Sequence, residues 1–205
     1  MSILGLIAAF GGGVFAAAIG AVPAFIMTGV FSIVGAVAGM CGAGDASNIL
    51  VNYFAFGPFF GPHIAFAGGV AAAAYVKKKG VSENGADVVS ALAGLNEPDV
   101  LLVGGVFGVI GYLFKELVIV NLFAGTISPR LVTDAPGITV FCSAILVRLI
   151  FGGKFKTGSD FMSKGKNLTT TLVIAFSYSL VVAGVYTAAV NSGVTVETFG
   201  GLYHV

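Results

Sequence analysis

His63 stands inside a strongly apolar stretch, directly after the run Gly57-Pro58-Phe59-Phe60-Gly61-Pro62. A neutral imidazole donates one hydrogen bond, accepts another and exchanges a proton near neutral pH. At such a place it suits holding a small solute, and it suits capping carbonyls freed by a helix break equally well. Lys115 and Glu116 are the other adjacent ionisable residues in an apolar run. They form a possible intramembrane charge pair, although snorkelling to an interface explains them as readily. Asn48 and Asn52 share a helix face by their i, i+4 spacing. Ser177, Tyr178 and Ser179 make a second polar group in a later apolar run. Hydrogen bonds between helices would account for all five as well as a solute path would.

Nothing here has the pattern of an enzyme centre. The chain has only two histidines and two cysteines, with no clustered metal ligands and no paired carboxylates within an apolar run. Gly11-Gly12-Gly13 lies inside a hydrophobic stretch, out of reach of a nucleotide phosphate. The expectation is therefore no catalytic residue, no metal and no cofactor. Net charge is +1 over 205 residues, which argues against a nucleic-acid partner, because that needs a clustered basic surface. Hydrophobic residues make up 57% and charged residues 9%, against about 25% charged in ordinary soluble domains. The composition predicts an all-α polytopic membrane protein with the lipid bilayer as its main partner. Thirty-one glycines point to closely packed helices and to homo-oligomer contacts through Gly/Ala faces. Cys41 and Cys142 are expected to stay unbridged.

About 20 apolar residues cross a bilayer as a helix, and the chain offers about six such spans. The first runs from about Ile3 to Gly20 and is expected to be retained, since no positive region precedes it. After a turn at Ala21-Val22-Pro23, the second runs from about Ala24 to Met40. Asp45 or Ser47 is placed to cap the next helix. The third span, Asn48 to Lys79, contains two Gly-Pro pairs four residues apart, at Gly57-Pro58 and Gly61-Pro62. Each proline removes a donor and clashes with the preceding turn, so this helix is predicted to break. Its break carries Phe56, Phe59 and Phe60 and ends at His63. In the polar stretch beyond Lys79, Ala86 to Leu95 reads as a short amphipathic helix. The fourth span runs from about Val100 to Lys115-Glu116, and Leu117 to Ala124 either extends it or dips separately into the membrane. Asp134-Ala135-Pro136-Gly137 opens the fifth, and the sixth covers about Leu168 to Val190.

The order repeats. Gly12-Gly13-Val14-Phe15 matches Gly104-Gly105-Val106-Phe107, and the segment from Pro23 resembles that from Pro136. Lysines cluster at Lys77 to Lys79 and between Gly152 and Asn167, where Lys154, Lys156, Lys164 and Lys166 lie. Placing both clusters in the cytoplasm turns the second half upside down relative to the first. The expected organisation is thus a three-span repeat over 1–80, a cytoplasmic linker over 81–99, a second, inverted three-span repeat over 100–193 and a polar tail over 194–205. Inverted repeats with an interrupted helix are the arrangement of many permeases and channels. The reading is a permease or channel, in a plasma (inner) membrane, for a small neutral or weakly ionised solute. Its path would involve Asn48, Asn52, Phe56, Phe59, Phe60, His63, Ser177, Tyr178 and Ser179. The alternative is a non-transporting scaffold or oligomer-forming subunit of a membrane complex.

Overall fold

The computed structural model describes residues 2–120, 134–152 and 164–193. Residues 121–124, the loop over 125–133 with Pro129 and Arg130, the part of the basic loop over 153–163 and the tail over 194–205 lie outside the described residues. Every regular element among the described residues is helical. The chain falls into two units, Met1–Phe155 and Lys156–Val205, each described by itself.

Among the described residues, three helices are long and apolar enough to cross a membrane: Ala21–Met40, Pro98–Ile119 and Gly165–Asn191. Two shorter ones, Ile3–Ile19 and Ala135–Phe151, are also apolar. The first unit contains α1 (Ile3–Ile19), α2 (Ala21–Met40), a short α3 (Gly44–Asn48), α4 (Ala65–Lys79), α5 (Pro98–Phe114) and α6 (Ala135–Phe151). A π-helical run, Ile49–Ala55, continues α3, and a second, Lys115–Ile119, continues α5. That second run carries the fourth apolar stretch onward to Val120, so Leu117 to Val120 extend it. The second unit's described residues form one helix, α7 (Gly165–Asn191), with Ser177, Tyr178 and Ser179 all exposed on it.

Small residues build the core of the first unit. Ala9, Ala16, Ala17, Ala24, Ala65, Ala71 and Ala72 are fully buried, whereas Ile26, Ile33, Leu102 and Phe141 are more than half exposed. A water-soluble core would hold the large side chains and leave polar ones outside. Small residues inside and large apolar ones outside suit surroundings as apolar as the core itself.

Helices α1 and α5 run antiparallel along a seam built largely from glycine and alanine. Gly5 faces Tyr112, Gly13 faces Gly104, Gly108 faces the carbonyl of Ala9, and Ala17 meets Val100. The contact at the crossing is reciprocal. A Cβ on Gly13 would lie 2.2 Å from the Gly104 carbonyl oxygen, and one on Gly104 would lie 2.7 Å from the Gly13 carbonyl oxygen. Gly104 and Gly108 are therefore taken up within the chain. Gly35 and Gly39 face Val51 and Ser47. Gly35, Gly104 and Gly108 are buried in these contacts, whereas Gly39 stays exposed.

The ends of the elements follow local chemistry. The α1–α2 turn is a single residue, Gly20 at φ 101°, and Ala21-Val22-Pro23 already belong to α2. A side chain there would be strained and would meet the Val89 carbonyl at 2.5 Å. Gly80, left-handed at φ 81°, closes α4, with its own amide on Lys77 O and that of Val81 on Val76 O. Asp134 caps α6 through the Gly137 amide at 2.9 Å, as its position before Ala135-Pro136 predicts. At α3 the N-cap is Ala43 rather than Asp45 or Ser47, and Asp45 sits in the first turn.

The linker is not an amphipathic helix. Residues 86–92 are irregular chain with bends, and only Ala93–Leu95 is helical, as one 3₁₀ turn. Asn84 accepts the Ala86 amide at 3.0 Å, and Asp87 accepts those of Val89 and Ser90 at 3.2 and 3.0 Å. Such local bonds compete with helical ones. The Ser90 hydroxyl and amide also hold the Asp87 carboxyl below its usual range. Two further backbone groups are engaged elsewhere. Val88 O accepts the Val22 amide at 2.8 Å, and the Leu92 amide reaches Ala17 O at 3.3 Å. The linker thus satisfies the exposed ends of α1 and α2.

Candidate functional site

The predicted break is present: helical structure stops at Ala55 and resumes at Ala65. Free backbone groups cannot be left to lipid, and three helices receive the break's carbonyls. Thr28 of α2 donates its hydroxyl to Phe60 O at 2.6 Å. Gly12 of α1 abuts Phe59 O, where a Cβ would stand 2.1 Å away. Gly111 of α5 abuts His63 O, where a Cβ would stand 1.7 Å away. The glycine Cα hydrogens face these oxygens, contacts worth about 0.5–1 kcal/mol each. Thr28 is 2% exposed, so Thr28→Val would strand a buried carbonyl without changing shape. The expected loss is about 1–3 kcal/mol, checked by thermal or denaturant unfolding of the purified protein against wild type.

An aromatic chain fixes the outer side of the break. Phe15 meets Phe60 edge-on at 5.6 Å, Phe60 stacks on Phe31 at 5.2 Å, Phe31 meets Phe54 at 5.2 Å and Phe54 stacks on Phe59 at 5.3 Å. Offset and edge contacts of this kind add about 0.5–1.5 kcal/mol each beyond burial. They tie the break and the π-helical run to α1 and α2. Phe60 is thereby a packing residue between Phe15 and Phe31, and it does not line the neighbouring cleft.

That cleft, of about 300 Å³, opens between the start of α1, the π-helical run, the break and the end of α5. Asn52, Phe56, Phe59 and His63 line it, and so do Lys115 and Glu116. Four of the residues expected on a path and the expected charge pair are thus gathered at one place. The pair itself is formed, Lys115 Nζ donating to Glu116 Oε1 at 2.9 Å. Asn48 stands just outside, its Oδ1 accepting a hydrogen bond from Asn52 Nδ2. Ser177, Tyr178 and Ser179 belong to the second unit and are described on their own helix only.

His63 closes the inner end of the cleft. Its side chain is fully buried, and neither Nδ1 nor Nε2 has a hydrogen-bond partner among the described residues. Buried polar atoms are nearly always paired, so an imidazole with both nitrogens unpaired calls for an explanation. It is not a cap for the freed carbonyls, which other groups receive. Gly61 packs against its ring, with Cε1 2.5 Å from where a Cβ would stand. Tyr53 and Tyr112 also line the cleft, and sequence reasoning missed both as site residues. For Tyr112 a signal existed: it precedes Lys115 and Glu116 by three and four residues, the spacing of one helix face. Among the described residues no group of three or more metal-ligating side chains occurs.

Fold and site together define an all-helical protein with membrane-compatible helices and an interrupted helix backed by glycine seams. Residues 1–161 match the model described as a family of unknown function (DUF7973), and the chain belongs to that family. The matched stretch contains every residue of the cleft and excludes Ser177 to Ser179. No curated protein and no solved structure matches the chain.

Proposed function

We propose that the protein is an integral membrane permease or channel for a small, neutral or weakly ionised solute, and that the cleft ending at His63 is its entrance. The observation that carries this reading is the buried imidazole with both nitrogens unpartnered, at the end of a cleft walled by Phe56 and Phe59. Among the described residues, the charged side chains of that cleft are Lys115 and Glu116, paired with each other. A neutral pair favours a solute of little net charge. His63 is covered, so this is a closed state, and passage requires the segment around Gly57 and Gly61 to move.

In this reading six spans form two inverted three-span repeats in a plasma (inner) membrane, with the basic segments cytoplasmic. Two observations support it. The antiparallel seam crosses where Gly13 meets Gly104 and Gly105, within the matched Gly-Gly pairs of the two halves, which fits an axis in the membrane plane. Lys78 Nζ reaches Ile150 O at 3.1 Å, so the basic ends of α4 and α6 lie at one end of the unit. The Gly12 contact also puts the break beside that crossing, where such folds hold their solute sites. A scaffold that meets its copies through glycine faces has less support, because Gly35, Gly104 and Gly108 are buried within the chain.

The test is solute-driven swelling of proteoliposomes, run with a series of uncharged and weakly ionised solutes and with fully ionised ones. Faster entry of a subset of the first group than into protein-free vesicles is expected. Rates equal to protein-free vesicles for every solute would sink the permease reading.

A further inference from the structure

We propose that a second cleft, between α4 and α6 at the basic end of the unit, binds an anionic phospholipid. This site does not depend on the permease reading. The cleft measures about 340 Å³ and is lined at its rim by Lys77, Arg148 and Asn84. Its wall is Val70 and Ala74 of α4 and Ala144 and Val147 of α6. Along α4 polarity changes from Lys77 in the last turn to Ala74 and Val70 one and two turns earlier, and on α6 Ala144 lies one turn before Arg148, with Phe151 beyond it. The helices end at one level, because Lys78 bonds Ile150 O and lies over the Phe151 ring, 5.4 Å from its centroid. Among the described residues no carboxylate lines the cleft.

From Lys77 back to Val70 the wall is about 10 Å long, enough for the first part of an acyl chain beneath a phosphate. Basic pockets between membrane helices are suited to anionic headgroups. A free phosphate would use only the rim and leave the apolar wall without a role. A zwitterionic headgroup brings its own cation to the rim. The graded lining thus favours a lipid with a net negative head.

Native mass spectrometry of the full chain in non-ionic detergent, titrated with phosphatidylglycerol, phosphatidylcholine or inorganic phosphate, tests this. One phosphatidylglycerol should be retained in preference to phosphatidylcholine. Its binding should weaken roughly thirty-fold in the double variant K77Q/R148Q, at about 1 kcal/mol for each surface cation. Ala144→Leu, which fills the wall and leaves the charge alone, should also weaken lipid binding, while Lys166→Gln outside the cleft should not. Equal retention of phosphatidylcholine would overturn the proposal. So would competition by phosphate together with full lipid binding in Ala144→Leu, which would make the rim a simple anion site.

Discussion

Gly111→Ala is expected to destabilise the protein by up to about 2 kcal/mol or to prevent its folding, although alanine is the better helix former. The new Cβ would lie 1.7 Å from the His63 carbonyl oxygen and 2.9 Å from the carbonyl carbon. Both are backbone atoms, so no side chain can swing aside. Relief requires α5 to retreat from the break, and overpacking of this kind typically costs about 1–3 kcal/mol. Alanine's helical advantage over glycine, about 1 kcal/mol, is smaller. Gly11→Ala is the matched control, since nothing lies within 4 Å of a Cβ there. It should be neutral or slightly stabilising. Unfolding curves for the two variants in one detergent check the pair; equal stability of Gly111→Ala and Gly11→Ala would mean that α5 does not press on the break.

His63→Leu should separate stability from transport. Replacing a buried, unpartnered polar side chain by an apolar one of similar size removes a desolvation cost, so the variant should be more stable by about 1–2 kcal/mol. If the imidazole meets the solute, swelling of proteoliposomes should at the same time slow at least tenfold for any solute that wild type admits. A rise in stability with unchanged permeation would make His63 a filler of the fold. A fall in stability would mean that its nitrogens have partners after all.

Much of the fold was legible in the sequence because Gly and Pro act locally. The two Gly-Pro pairs announce the break, Asp134 before Ala135-Pro136 announces a helix start, and the repeated Gly-Gly-Val-Phe marks the α1–α5 crossing. What the sequence hid depends on distant partners. Phe60 looks like its neighbour Phe59, and only the positions of Phe15 and Phe31 make one a packing residue and the other a cleft wall. The linker has an amphipathic pattern, yet Asn84 and Asp87 bind amides ahead of them and Val88 and Leu92 serve α1 and α2. The abundance of glycine pointed both to close packing and to contacts between copies, but composition alone cannot say which surface a given glycine meets, and Gly35, Gly104 and Gly108 pack within the chain. His63 stood out by its chemistry, and its missing partners became visible only with the fold.

The most direct test of the path is the reaction of single cysteines with a membrane-impermeant thiol reagent, in a background without Cys41 and Cys142, both of which are free. Phe59, 41% exposed in the cleft, and Val30, 52% exposed on α2, are the positions to compare. The reagent attacks the thiolate, which needs water. A wet cleft in a lipid-embedded protein predicts that the cysteine at 59 reacts, that a permeant solute slows it, and that the one at 30 stays inert. An inert cysteine at 59, or equal reaction at both positions, would contradict a solute path through this cleft.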